Sequence, residues 1–380
     1  MKYFLIEKKR SADRWIIAII SVCLFSMASC DDMQDKERKQ SFVSETSVTG
    51  IYVLSEGLFN LNNSTLAYYN FDPAKLTSDL FLTMNKRGLG DTANDMAAYG
   101  SKLYIVVNVS SQIEVVDLAT GQSIKRIPMF NDSEVARQPR YIDFAKGNAY
   151  VCSFDGTLVR IDTANLNITG IVKCGRNPDG LCIANNKIYV TNSGGLDYPN
   201  YDNTVSVIDA ATFTETKKIT VGINPSRIHA DSEGDVYLVS RGNYGDIPYK
   251  FQKINSKTDE LEQTFDDIQA LNFTIHNDTA YIYNFDFSTQ SSWIKVFDCK
   301  KEVIISNSFI TDQTSLTTPY GIDVNPLNGD VYITDAKNFI VWGDVVCFDN
   351  KGNFKFKIEE LGLNPNKTLF VTKTTTKIQE

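Results

Sequence analysis

The chain has 380 residues, 42% of them hydrophobic, and a formal charge of −8 at pH 7. Its length admits two or three domains or one array of repeats, and its apolar content supports a large core. The acidic balance argues against a nucleic-acid partner, which needs clustered cations against phosphate, while 22 Phe and 18 Tyr suit an all-β chain.

At the N-terminus, Lys2, Lys8, Lys9, Arg10 and Arg14 precede the short apolar run "WIIAIISVCLFSMAS". This pattern predicts a secretory signal peptide over residues 1–29, too short for a comfortable membrane span. Met27-Ala28-Ser29 followed by Cys30 resembles the lipobox of bacterial lipoproteins, in which the cysteine is acylated and becomes the mature N-terminus. Met27 departs from the usual aliphatic residue, and the alternative is an ordinary signal peptide with a chance cysteine. Residues 30–48 begin "CDDMQDKERK", charged and without apolar anchors, and read as a lipidated cysteine with a flexible tether. The acidic run behind Cys30 resembles the export signal that sends lipoproteins to the cell surface in Bacteroidetes. Residues 1–29 carry five basic and two acidic groups, so their removal takes the charge from −8 to −11. The cysteines beyond Cys30 form no CxxC, so they read as buried hydrophobes with at most one or two disulfides and no metal site.

The remaining chain is periodic. Asp72, Asp117, Asp162, Asp209, Asn255, Asp298 and Asp349 each close an apolar run and open a tight turn, at spacings of 45, 45, 47, 46, 43 and 51. Asp and Asn suit such turns because their side chains bond the backbone two residues on. Tyr52, Tyr104, Tyr150, Tyr189, Tyr237, Tyr281 and Tyr332 keep step, and Pro139, Pro178, Pro225, Pro319 and Pro365 open most units. Each unit therefore predicts four strands: a strand a led by Pro, a strand b led by Tyr, a strand c ending at Asp, and a strand d. No helix is expected after the signal peptide. The first unit lacks strand a, and the last segment, "NPNKTLFV", is a strand a with nothing after it. These fragments complete one another. The fold expected is an all-β, seven-bladed propeller of four-stranded blades over residues 49–373, its ring closed by a C-terminal strand in the N-terminal blade, with a tail at 374–380.

Function is expected where length is spent. Several b–c connections are long, at 55–65, 192–204, 241–250, 284–293 and 335–344, and long loops in a compact repeat are usually functional. They carry Phe59, Tyr198, Tyr201, Tyr244, Tyr249, Phe285, Phe287, Trp293, Phe339 and Trp342 among small polar residues, a composition that suits recognition. Packing of these rings under their own loops is the alternative. Arg87, Arg137, Arg140 and Arg176 approach the same face from the d–a connections, and Arg241 opens a b–c loop. They suit a phosphate or carboxylate, or else pair with Asp at blade junctions. The ligand-binding set expected is thus Phe59, Arg87, Arg140, Arg176, Tyr198, Tyr201, Arg241, Tyr244, Phe285, Phe287, Trp293 and Trp342. No catalytic residue is assigned: His229 and His276 are the only histidines, each read as structural, and no GxSxG or HExxH occurs.

With the repeats established, the literal "YVTN" at Tyr189–Asn192 resembles the YVTN-type seven-bladed propellers. The segments "YVLSEGLFNLNNSTLAYYNFD" and "GDTANDMAAYGSKLYIVVNVSSQIEVVDLATG" resemble Bacteroidetes surface lipoproteins carrying a propeller, over roughly residues 50–371. Their best-understood members are the cobalamin-capturing (BtuG-type) lipoproteins. That resemblance implies an outer-membrane lipoprotein facing the cell exterior, which captures cobalamin or a related corrinoid as ligand rather than cofactor. It also implies a TonB-dependent transporter as partner, membrane contact through the lipid anchor only, and no enzymatic turnover. Two other classes remain open. One is a propeller lactonase or hydrolase, for which Glu56, Asp95, Asp179 and Asp323 offer acids; the other is an adhesion or scaffold protein binding a protein or glycan.

Overall fold

The computed structural model describes residues 42–378. It is a seven-bladed β-propeller of four-stranded antiparallel sheets. Blade 1 holds β1 (Phe42–Ser55), β2 (Thr65–Phe71) and β3 (Ala74–Thr77); blade 2 holds β4 (Ala93–Tyr99), β5 (Lys102–Val107), β6 (Gln112–Asp117) and β7 (Ser123–Pro128). Blade 3 holds β8 (Pro139–Ala145), β9 (Asn148–Ser153), β10 (Thr157–Asp162) and β11 (Ile168–Lys173). Blade 4 holds β12 (Pro178–Ala184), β13 (Lys187–Asn192), β14 (Thr204–Asp209) and β15 (Thr214–Thr220). Blade 5 holds β16 (Pro225–Ala230), β17 (Val236–Ser240), β18 (Lys250–Asn255) and β19 (Glu260–Phe265). Blade 6 holds β20 (Asn272–His276), β21 (Thr279–Asp286), β22 (Ser291–Asp298) and β23 (Val303–Ser306). Blade 7 holds β24 (Pro319–Val324), β25 (Val331–Asp335), β26 (Asp344–Phe348) and β27 (Phe354–Ile358).

The last strand, β28 (Pro365–Ile378), lies beside β1 in the order β28-β1-β2-β3, so the C-terminal Asn-Pro segment supplies the strand that blade 1 lacks. Closure pairs an edge that would otherwise be open. The described strands run past the limits 49 and 373 read from sequence, with Thr46 Oγ1 and Thr374 Oγ1 2.9 Å apart. Cys30 and the signal peptide lie outside the described residues.

The repeat markers meet across blade boundaries. Strand b alternates its buried side chains between two neighbours, so Tyr52 and Leu54 pack toward blade 2 while Ile51 and Val53 pack toward blade 7. Seven such clusters lie one per interface, and each fully buried aliphatic or aromatic side chain contributes about 1.5–3 kcal/mol. The tyrosine hydroxyl then reaches the c–d turn of the next blade: Tyr52 Oη donates to Leu118 O (2.9 Å), and Tyr237 Oη to Cys299 O (2.8 Å). Those turns are built by the repeated Asp, as where Asp117 Oδ1 accepts from Thr120 N (2.9 Å) and Asp209 Oδ1 from Thr212 N (2.7 Å). Cys152, Cys174, Cys182, Cys299 and Cys347 are free thiols, all but Cys174 buried.

One element departs from expectation. A six-residue helix, α1 (Leu80–Asn85), joins blades 1 and 2. Asp79 caps it by accepting from Leu82 N (3.0 Å), and Phe81 anchors it in the core between those blades. A single turn with one buried ring carries too little periodicity to read from sequence.

Candidate ligand-binding site

The innermost strands share a local irregularity that shapes the channel. At the start of β4, β8, β12, β16 and β24 the pairing with strand b slips by one residue. Thus Pro139 faces Ser153 and Tyr141 faces Cys152, leaving Arg140 outside the ladder; Asn94 and Tyr320 are displaced in the same way. A bulge of this kind re-aims side chains, and Asn94, Arg140 and Tyr320 all line a cavity of ≈ 440 Å³ at the channel mouth. In β16 the slip spans Ser226 and Arg227, and Arg227 joins the lining. The inner strands crowd here: a Cβ on Gly321 would sit 2.2 Å from Asn366 O of β28.

The wall over blades 5 to 7 is aromatic. Tyr244 and Tyr249 come from the blade 5 loop, Phe287 and Phe339 from the loops of blades 6 and 7. Two of these loops use the same device. Asn243 Oδ1 accepts from Gly245 N and Ile247 N, and Asn338 Oδ1 from Ile340 N and Val341 N. The next residue, Tyr244 (φ 57°) or Phe339 (φ 68°), is held in the left-handed region, which costs a bulky residue about 1 kcal/mol or more and signals a constrained loop. Phe287 stacks on Phe339 (6.1 Å) and meets Phe285 edge-on (4.9 Å). Tyr244 and Phe287 remain 59% and 58% exposed, so their faces are open to a ligand. Phe285 is 1% exposed and supports Phe287 from beneath.

The polar lining comes from blades 1 to 3, with Arg227 and Arg241 of blade 5 and Tyr320 of blade 7. Arg140 Nε donates to Asp179 Oδ1 (2.7 Å) and its Nη1 to Asn94 Oδ1, with Phe154 under the guanidinium at 4.5 Å. Arg241 Nη1 reaches Asp179 Oδ2 (3.5 Å). Burial opposes both cations, but the shared carboxylate outweighs it and raises their affinity for the proton. Glu56 accepts from Tyr320 Oη (2.7 Å) and Asn366 Nδ2 (3.1 Å). Burial, then the Glu56 charge, pushes the Tyr320 phenol well up, so it stays a donor.

Of the sequence-predicted residues, Arg140, Arg241, Tyr244, Phe285 and Phe287 meet at this cavity, with Tyr249 and Phe339. Tyr201 and Tyr198 extend the aromatic series outward, ring to ring, at 5.9 and 6.0 Å. The others do not line it. Phe59 stands 71% exposed on the blade 1 loop, and Trp342 sits at an isolated bridge to Leu363. Arg87 pairs with Glu114 (2.8 Å) over the Phe81 ring, and Arg176 with Asp197 (2.7 Å), while Arg137 pairs with Asp155 (2.7 Å). Trp293 packs on the core between blades 5 and 6, covered by Lys295 at 4.9 Å. Sequence reasoning missed Tyr141, Arg227, Asn272 and Tyr320, although each lies within two residues of the start of a strand a.

A second cavity, of ≈ 200 Å³, lies further along the inner strands and shares Tyr141, Arg227, Asn272 and Asn366 with the first. Asp95, Asp143, His229, Asp323 and Lys367 line it. Lys367 Nζ is 2.9 Å from Asp323, Asp95 accepts from Ile142 N (3.1 Å), and Asp143 accepts from Phe144 N (2.7 Å). Burial raises the Asp143 carboxyl to about 6 and lowers His229 to about 3. Glu56, Asp95, Asp179 and Asp323 therefore each have separate partners, and among the described residues no group of three His, Cys, Asp or Glu is placed to hold a metal.

Residues 49–368 match the family described as "domain of unknown function (DUF5074)". No curated protein sequence matches. Among solved structures, a quinonprotein alcohol dehydrogenase-like protein from Bacteroides thetaiotaomicron is similar at 17% identity and TM-score 0.62, over 86% of this chain and 79% of that one. A functionally unknown protein from Desulfotomaculum acetoxidans is similar at 10% identity and TM-score 0.60, over 85% and 98%. Hydrazine synthase of Kuenenia stuttgartiensis is similar at 16% identity and TM-score 0.53, over 66% and 74%. Identities this low speak to the fold alone.

Proposed function

The chain belongs to the DUF5074 family, and we propose that this member captures a ligand at the mouth of its propeller channel. The observation that carries the reading is the cavity of ≈ 440 Å³, lined both by the exposed rings of Tyr244 and Phe287 and by Arg140, Arg227 and Arg241. Preformed concave sites with aromatic walls and a few directed polar groups suit binding of an amphipathic small molecule. The ligand proposed is cobalamin or a related corrinoid, whose apolar ring edge and nucleotide phosphate match the aromatic and the cationic lining. Tyr201 and Tyr198, the latter 73% exposed, extend the surface for a body larger than the cavity.

The same reading makes the protein a binding module rather than an enzyme. It is anchored to the outer membrane through lipidated Cys30, faces the exterior, and passes its ligand to a TonB-dependent transporter. The test is a calorimetric titration of the purified protein with cyanocobalamin, with co-migration of its red colour on gel filtration. Stoichiometric binding supports capture; no heat and no co-migration refute the corrinoid.

A further inference from the structure

The arginines at the mouth are not equivalent. Arg140 and Arg241 share Asp179, so their charge is already engaged. The Arg227 side chain forms no ion pair and no hydrogen bond among the described residues, and its buried Nε has no partner. Its guanidinium lies 4.1 Å over the Tyr141 ring, which fixes its plane without neutralising it. The Arg241 Nε is likewise buried without a partner, and Tyr141 lines the same cavity. Asp95 faces Arg227 from the second cavity without reaching ion-pair distance. A buried donor without an acceptor costs about 1–3 kcal/mol, so two of them around one cavity mark a place built for an acceptor that arrives with the ligand.

We propose that the ligand carries a phosphate-type oxyanion and that Arg227, assisted by Tyr141, is its seat. This rests on capture at the channel mouth and adds to it the charged group that selects among ligands. The planar guanidinium offers paired N–H donors that fit two oxygens of one phosphate, and the aromatic wall receives the rest of the molecule. Arg140 and Arg241 hold the wall in place through Asp179.

The test compares cyanocobalamin, which has a phosphodiester, with dicyanocobinamide, which has the same corrin ring and lacks it, on the wild-type protein, Arg227→Gln and Arg227→Lys. Arg227→Gln should weaken cyanocobalamin roughly tenfold or more and leave dicyanocobinamide within about twofold. Arg227→Lys should fall between, because it keeps the charge and loses the fork. Wild-type binding of both corrinoids with equal effects of Arg227→Gln on each, or none on either, would overturn the assignment. If neither corrinoid binds, the corrinoid reading fails separately, and inorganic phosphate becomes the probe. Phosphate should then raise the melting temperature of the wild-type protein and not that of Arg227→Gln. No rise in the wild type, or an equal rise in both, would overturn the oxyanion seat.

Discussion

The two cavities of the central channel are built by the same inner strands and share four residues, yet their chemistry differs. At the mouth, bulges turn Asn94, Arg140 and Tyr320 out of the ladder, and loops from blades 5 to 7 add rings. In the second cavity the strands supply Asp95, Asp143, His229, Asp323 and Lys367 without help from loops. There Asp95, Asp143, Asp323 and Lys367 are satisfied by one another or by backbone N–H groups. The mouth instead leaves donors open and rings exposed. Satisfied polar groups hold a channel together, whereas unsatisfied ones beside open aromatic faces are where a ligand gains most.

Removing residues 364–371 tests both ends together, since β28 brings Asn366 to the mouth and Lys367 to the second cavity. The cooperative thermal transition followed by circular dichroism should be lost, because blade 1 would lack its inner strand; an unchanged transition would show that closure is dispensable. Lys367→Met acts on one end only. It leaves the buried Asp323 without its cation and should cost about 2 kcal/mol in urea unfolding, less than a fully buried pair because the Lys367 side chain is 32% exposed.

Paired replacement of Tyr244 and Phe287 by Ala should do the reverse, weakening cyanocobalamin by about 2 kcal/mol in calorimetry with the melting temperature unchanged. Lower stability with unchanged affinity would place those rings in the fold rather than the site. Asp143→Asn probes the second cavity through pH. Its native carboxyl titrates at about 6 against an ordinary 3.8, so the native state binds more protons between those values, and stability falls as pH rises through that window. The Asn variant escapes this loss: it should match the wild type below pH 4 and exceed it by about 3 kcal/mol above pH 7 in denaturant titrations. Trp342→Ala, outside the cavity, should change cyanocobalamin affinity less than about twofold, a sharper expectation than loop membership gives.

The fold was legible because its signals recur. Seven Asp or Asn turns and seven strand-b tyrosines mark the blades, and "NPNKTLFV" announces the closing strand. The aromatic wall was legible in part, since long loops rich in Tyr and Phe stand out, but loop membership does not say which ring turns inward. Tyr244 and Phe287 do; Phe59, Trp293 and Trp342 do not. Arg87 and Arg176 looked like Arg140 in sequence, and all three are ion-paired, yet only Arg140 lines the cavity. Arg227 and Tyr141 went unseen because they sit inside strands, where residues normally alternate between blade faces. The bulges beside Pro139 and Pro225 change which residues face the channel, and a one-residue slip in pairing is a property of two strands together.

The most direct measurement is a crystal structure of the protein soaked with cyanocobalamin, with the anomalous signal of the cobalt locating the ring. The expected result is one cobalt peak over the mouth, the corrin edge against Tyr244 and Phe287, and the second cavity unfilled. A peak at the outer blade surface, or none at ligand concentrations that saturate binding in solution, would contradict capture at the channel mouth.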